Sequence, residues 1–146
     1  QDRVRFLPLV NPSEVLGLIS RFDFAVNMLT NPKNWVSYQH PAINKIYEYL
    51  GAGLPVLCST LPAFERELVA PGVGVAVDAT NPAAIKQGLQ HILDNRAAIS
   101  EMKTKALHLA RTKYNWQSEE KILLKLYETL GRSRCFVPNS PAAIPS

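Results

Sequence analysis

HPAINKIYEYLGAGLPVLCS, residues 40–59, decides the fold. His40-Pro41 closes a polar loop, and INKIYEYL then reads as a short helix that Gly51 and Gly53 break. LPVLCS (54–59) follows as an apolar strand of the kind buried on both faces. Loop, helix, glycine turn and buried strand in succession form one repeat of α/β layering.

The same alternation continues in both directions. Upstream, VRFLPLV (4–10) reads as a buried strand, and Asn11-Pro12-Ser13-Glu14 as a helix start. Asn11 can cap free amides, Pro12 suits the first helical position, and Glu14 completes a capping box. Val15, Leu16, Leu18, Ile19 and Phe22 follow a helical period, and FDFAVNML (22–29) is another strand. Residues 30–41 form a loop carrying Trp35, Tyr38 and His40. Downstream, LPAFERELVA predicts a helix stopped by Pro71-Gly72, with Glu65 and Glu67 solvated on it, and GVAVDA (74–79) the next strand. Asn81-Pro82 opens a helix to about Asn95, and a second helix runs from about Ala97 to Lys113. Asn115 caps a last amphipathic helix carrying Ile122, Leu123, Leu126, Tyr127 and Leu130.

These elements predict an α/β fold, a doubly wound parallel sheet over residues 1–131, with a proline-rich, disordered tail at 132–146. Such a sheet binds its ligand outside the carboxyl ends of its strands. Here those ends lead into the 30–44 loop, the segment after Ser59 and the segment after Asp78. The sequence supplies four strands where a full dinucleotide-type sheet has six. The chain also begins on QDRVRFLPLV without a methionine, and we expect it to be incomplete at the N-terminus.

Composition narrows the class. With 146 residues, 47% hydrophobic and 19% charged, the chain is an ordinary globular domain. Its apolar runs fall far short of the roughly 20 residues that cross a bilayer, and no signal peptide is apparent. The net charge of +4 suits anionic ligands but is not the basic stripe of a nucleic-acid binder, so no nucleic-acid partner is expected. Two cysteines make no disulfide scaffold: Cys58 reads as a buried thiol and Cys135 lies in the tail, which fits a reducing cytoplasm.

The helix beginning near Ala42 holds the candidate site. Its N-terminus offers free amides and the positive end of a dipole, which suits a diphosphate. Lys45 stands in the first turn, against that dipole, so a nearby anion would account for it. Glu48 lies on the same face, three residues from Lys45 and four from Asn44, and a carboxylate can accept two ribose hydroxyls. Spacing alone favours an exposed Lys45–Glu48 pair worth about 0.2–0.5 kcal/mol. Gly51 and Gly53 read as turn and packing residues without a GxGxxG pattern. Trp35 and Tyr38 are equally readable as base-stacking groups and as aromatics packed on their own domain. His91 and His108 stand on helices without ligand spacing, so no metal site is expected.

NKIYEYLGAGLPVLCSTLPAFEREL, followed by GVGVAVDATNPAAI, YNWQ and LYETL, resembles the C-terminal domain of GT-B glycosyltransferases of the glycogen-synthase-like retaining superfamily. VRFLPLVNPSEVLGLISRFDFAVNM fits the preceding segment, and the resemblance spans about residues 3–130. It implies a Rossmann-like half that binds a nucleotide sugar (UDP-, GDP- or similar) as substrate, with no resident cofactor. It assigns Glu48 to the ribose, and Asn44, Lys45 and His40 to the donor site. His40 departs from the pattern, because the family carries there the first of two acids with seven positions between them. A donor-sugar contact from that position therefore does not carry over. The resemblance also implies a partner, the N-terminal acceptor domain, without which this part is inactive. It further implies an apolar face left open on residues 115–131, and the +4 charge suits peripheral association with the inner face of the membrane. A sugar-nucleotide epimerase of the same architecture and a non-catalytic nucleotide-binding subunit remain the alternative readings.

Overall fold

The computed structural model describes residues 3–30 and 44–132. Helix α1 (Pro12–Ile19) starts as its sequence dictates, with Asn11 Oδ1 accepting from the Ser13 amide at 3.1 Å and Pro12 at the first position. Strand β1 (Ala25–Asn27) follows, then α2 (Asn44–Gly51) and β2 (Val56–Ser59). A short α3 (Pro62–Phe64) widens into a π-helical turn (Glu65–Val69), in which the Ala70 amide reaches back to Glu65 O at 2.8 Å. Strand β3 (Gly74–Val77), α4 (Pro82–Asp94), α5 (Arg96–Thr112) and α6 (Trp116–Arg132) complete the order. Asn81 caps α4 through the Ala83 and Ala84 amides, and Asn115 caps α6 through the Ser118 amide at 2.9 Å.

The sheet has three parallel strands in the order β1-β2-β3. Its register sets Ala25 beside Val56, Asn27 beside Cys58, and Cys58 beside Ala76. Side chains alternate along each strand, so Val56 and Cys58 share one face and Leu57 and Ser59 the other. On the first face Ile46 and Leu50 of α2, Phe64, Leu68 and Ala106 of α5 close over Val56 and Cys58. Cys58 is fully buried, its thiol donating to Val75 O at 3.6 Å. On the second face α4 comes so close at Gly88 that an added Cβ would lie 2.6 Å from Val77 Cγ1 and 3.0 Å from Leu57 Cδ1. Helices therefore cover both faces of an α/β domain. Gly53, at φ 71°, makes the turn between α2 and β2, where a Cβ would stand 3.0 Å from Leu107 Cγ.

One predicted strand is absent. Residues 4–10 join no ladder and stand in water, with Phe6 93% exposed and Leu9 102%. An apolar run becomes a buried strand only beside another strand, and none of the three in this sheet pairs with it; Pro8 also removes a ladder donor. The sheet of the described residues thus has three strands where the sequence suggested four. The tail at 133–146, including Cys135, lies outside the described residues. Among the described residues no helix is long and apolar enough to cross a membrane.

Candidate functional site

Parallel strands deliver all their carboxyl ends to one edge of a sheet, and here those ends enclose a cleft of about 240 Å3. Leu29 and Thr30 line it beyond β1, Ser59, Thr60 and Leu61 beyond β2, and Asp78, Ala79 and Thr80 beyond β3. Hydrogen bonds fix each exit. Ser59 Oγ accepts from the Leu29 amide at 2.6 Å and ties the end of β1 to β2. The Thr60 amide donates to Val77 O at 3.0 Å and ties β2 to β3. Asp78 Oδ1 accepts from Thr80 Oγ1 at 2.7 Å and from the Thr80 amide at 2.9 Å. Those two bonds, the hydroxyl first, hold the exposed Asp78 carboxyl below its usual range. The cleft thus offers hydroxyls and a carboxylate, a set that exchanges hydrogen bonds with a hydroxyl-rich ligand. None of its described lining residues is cationic.

The predicted donor residues occupy α2. Ile46 and Leu50 turn that helix into the core, which leaves Asn44, Lys45 and Glu48 on its exposed side. None of the three is among the residues lining the cleft. His40, Trp35 and Tyr38, which precede α2 in the sequence, lie outside the described residues.

Asn27 ends β1 on the face shared with Cys58, and it is nine-tenths buried. Its Nδ2 takes no hydrogen-bond partner among the described residues. A buried amide without a partner forfeits its hydration. We therefore expect Asn27→Leu, similar in size, to raise the unfolding free energy by about 1 kcal/mol. Urea titration measures it, and a loss of stability would show that the amide is satisfied in solution.

Sequence reasoning missed a second polar constellation. Glu67, expected in solvent, is folded under, its side chain 15% exposed. Lys113 Nζ donates to Glu67 Oε2 at 2.9 Å, Arg66 Nε donates to Oε1 at 2.8 Å, and the Tyr114 hydroxyl donates to Oε2. Partial burial pushes the Glu67 carboxyl up, but these donors outweigh it and hold it at about 2. The Tyr114 ring meets that of Tyr47 at 5.3 Å, with the Lys113 ammonium 4.7 Å from the Tyr114 centroid. Burial, then Glu67, pushes the Tyr114 hydroxyl up. Beside its neighbour Arg66, the partners of Glu67 come from 46 and 47 residues along the chain, and no local pattern announces those two. Beside this cluster Tyr47, Tyr114, Asn115, Trp116 and Glu119 line an aromatic groove of about 400 Å3.

At the amino ends of the strands, Lys103 Nζ donates to Phe22 O at 3.1 Å and pairs with Asp23 at 3.4 Å, inside a cavity of about 290 Å3. Those contacts pin the entry to β1 onto α5. Among the described residues no three potential metal ligands stand together. No protein-family model, curated protein or solved structure matches the chain.

Proposed function

We propose that this chain is the donor-binding part of a GT-B glycosyltransferase of the glycogen-synthase-like retaining type, holding a nucleoside diphosphate sugar for transfer of a hexose to a saccharide or lipid-linked acceptor. The observation that carries the proposal is the cleft at the carboxyl ends of the three parallel strands, the edge at which parallel α/β sheets bind their ligands. The order of sequence motifs adds the identity of the ligand.

In this reading the diphosphate lies at the N-terminal end of α2, where Lys45 offsets its charge, beside Asn44. Glu48, one turn on, accepts the two ribose hydroxyls, and His40 is assigned to the donor site by the sequence resemblance alone. The nucleotide sugar is the substrate, and no resident cofactor takes part. Transfer needs stabilisation of the departing diphosphate and of a cation-like sugar, together with an acceptor site. The residues here contribute to the first of these, and a companion domain supplies the acceptor.

Calorimetric titration with UDP, GDP and ADP tests the reading, alongside Glu48→Gln with folding checked by circular dichroism. We expect one nucleotide to bind in preference, and the variant to weaken it about tenfold, the effect of losing a charged hydrogen bond. A folded chain that binds none of the three, or a variant that binds equally well, refutes the assignment.

A further inference from the structure

The cavity of about 290 Å3 at the amino ends of the strands lies on the edge of the sheet opposite the cleft. Three elements meet around it. Asp23 and Phe24 lead into β1, Leu93 stands in the last turn of α4, and α5 supplies Arg96, Ile99, Ser100 and Lys103. Their spacing, i, i+3, i+4 and i+7, sets those four on one side of α5. The lining divides into an apolar wall, Phe24, Leu93 and Ile99, and a row of hydrogen-bond donors, Arg96, Ser100 and Lys103.

The donors are not equally engaged. Lys103 Nζ is held by Phe22 O at 3.1 Å and by Asp23 at 3.4 Å. Arg96 enters none of the ion pairs among the described residues, and no hydrogen bond among them engages its guanidinium or the Ser100 hydroxyl. Arg96 also opens α5, where the helix dipole disfavours a cation. With Asp23 answering Lys103, the cavity keeps one positive charge without a counterpart. A carboxylate meets a guanidinium through two parallel hydrogen bonds and brings one negative charge. A phosphate monoester brings about 1.5 to 2 at pH 7, and the surplus would face Asp23. The apolar wall asks for a hydrocarbon body behind the carboxylate. The volume, at the lower end of the roughly 300–1,000 Å3 of ligand pockets, asks for a small one.

We infer that this cavity binds a small carboxylate with an apolar body, its charged end on Arg96 and Ser100 and its hydrocarbon against Phe24, Leu93 and Ile99. The site shares no residue with the cleft or with the donor residues of α2, and it stands apart from the nucleotide reading. Amide chemical shifts of the isotopically labelled chain, titrated with phenylpropionate, phenylpropionamide, acetate and phenyl phosphate, test it. We expect phenylpropionate to move the amides of Phe24, Leu93 and Ile99 and to saturate with a Kd on the order of a few millimolar. Phenylpropionamide lacks the charge and acetate lacks the body, and each should bind about tenfold more weakly. Arg96→Gln should weaken phenylpropionate about tenfold and leave phenylpropionamide unchanged. Leu93→Ser should weaken both and leave acetate unchanged. Arg96 and Leu93 are exposed, so both variants should fold, which circular dichroism checks. No saturable binding, shifts away from the cavity, or equal affinity of parent and Arg96→Gln for phenylpropionate overturn the proposal. So does acetate or phenylpropionamide binding as tightly as phenylpropionate, which reduces the cavity to a surface charge or to an apolar patch. Tighter binding of phenyl phosphate overturns it in favour of a phosphate ester.

Discussion

Phe64→Ala is expected to lower the unfolding free energy by about 3–5 kcal/mol, a large part of the 5–15 kcal/mol that holds a typical domain together. Phe64 is among the largest fully buried side chains, 1% exposed. It belongs to the cluster that joins α2, the π-helical turn, β2 and α5, so truncation opens a cavity bounded by several elements at once. Leu50, Leu68 and Val56 around it are themselves fully buried and already packed, which limits collapse into the gap. Urea titration should show a lower midpoint at an unchanged slope, the mark of lost stability without a change in the surface exposed. Phe64→Leu should lose markedly less, because most of the volume remains. A Phe64→Ala midpoint equal to that of the parent would mean that this cluster is not the core.

Glu67→Gln is expected to remove about 1–2 kcal/mol at neutral pH, the range for a partly exposed carboxylate held by charged donors once solvent screening is allowed for. The pH dependence makes the test specific. The folded carboxyl is held at about 2, below its ordinary 4.5. Its contribution is therefore complete above about pH 5 and fades as pH falls toward 2. Urea midpoints of parent and variant should differ at pH 7 and converge as pH falls to about 2. A gap that persists at pH 2 would assign the loss to packing in place of charge. Tyr114→Phe, which removes one donor and keeps the ring tilted against that of Tyr47, should show a smaller version of the same convergence.

Where a residue's role is set by its near neighbours, the sequence announced it. Asn-Pro pairs at 11–12 and 81–82 and Asn115 start the helices that the structure contains. The apolar runs at 54–59 and 74–79 contain β2 and β3, since strands covered on both sides have little polar alternation to confuse them. The run at 4–10 has the same composition, yet it forms no strand, because pairing depends on a neighbour that composition does not reveal. The cleft was legible as a location, from topology. Its hydroxyls were not: Ser59 is the last residue of a strand, and Thr60 and Thr80 ordinary loop residues, until the ends of β2 and β3 stand side by side. Glu67 was misread for the same reason, since its partners, Lys113 and Tyr114, arrive from the far end of α5.

Cys58 gives the domain a built-in clock. Burial, with the negative charge of Glu65 added, pushes its thiol up to about 12, so at pH 7 only about one molecule in 10^5 carries the reactive thiolate. No reagent reaches it while β2 is covered on both faces, so alkylation waits for the sheet to part. Mass spectrometry of the Cys58 peptide, followed over hours with iodoacetamide, therefore counts the molecules in which the centre of the sheet stands open under native conditions. A ligand held across the strand ends would slow that count in proportion to its occupancy.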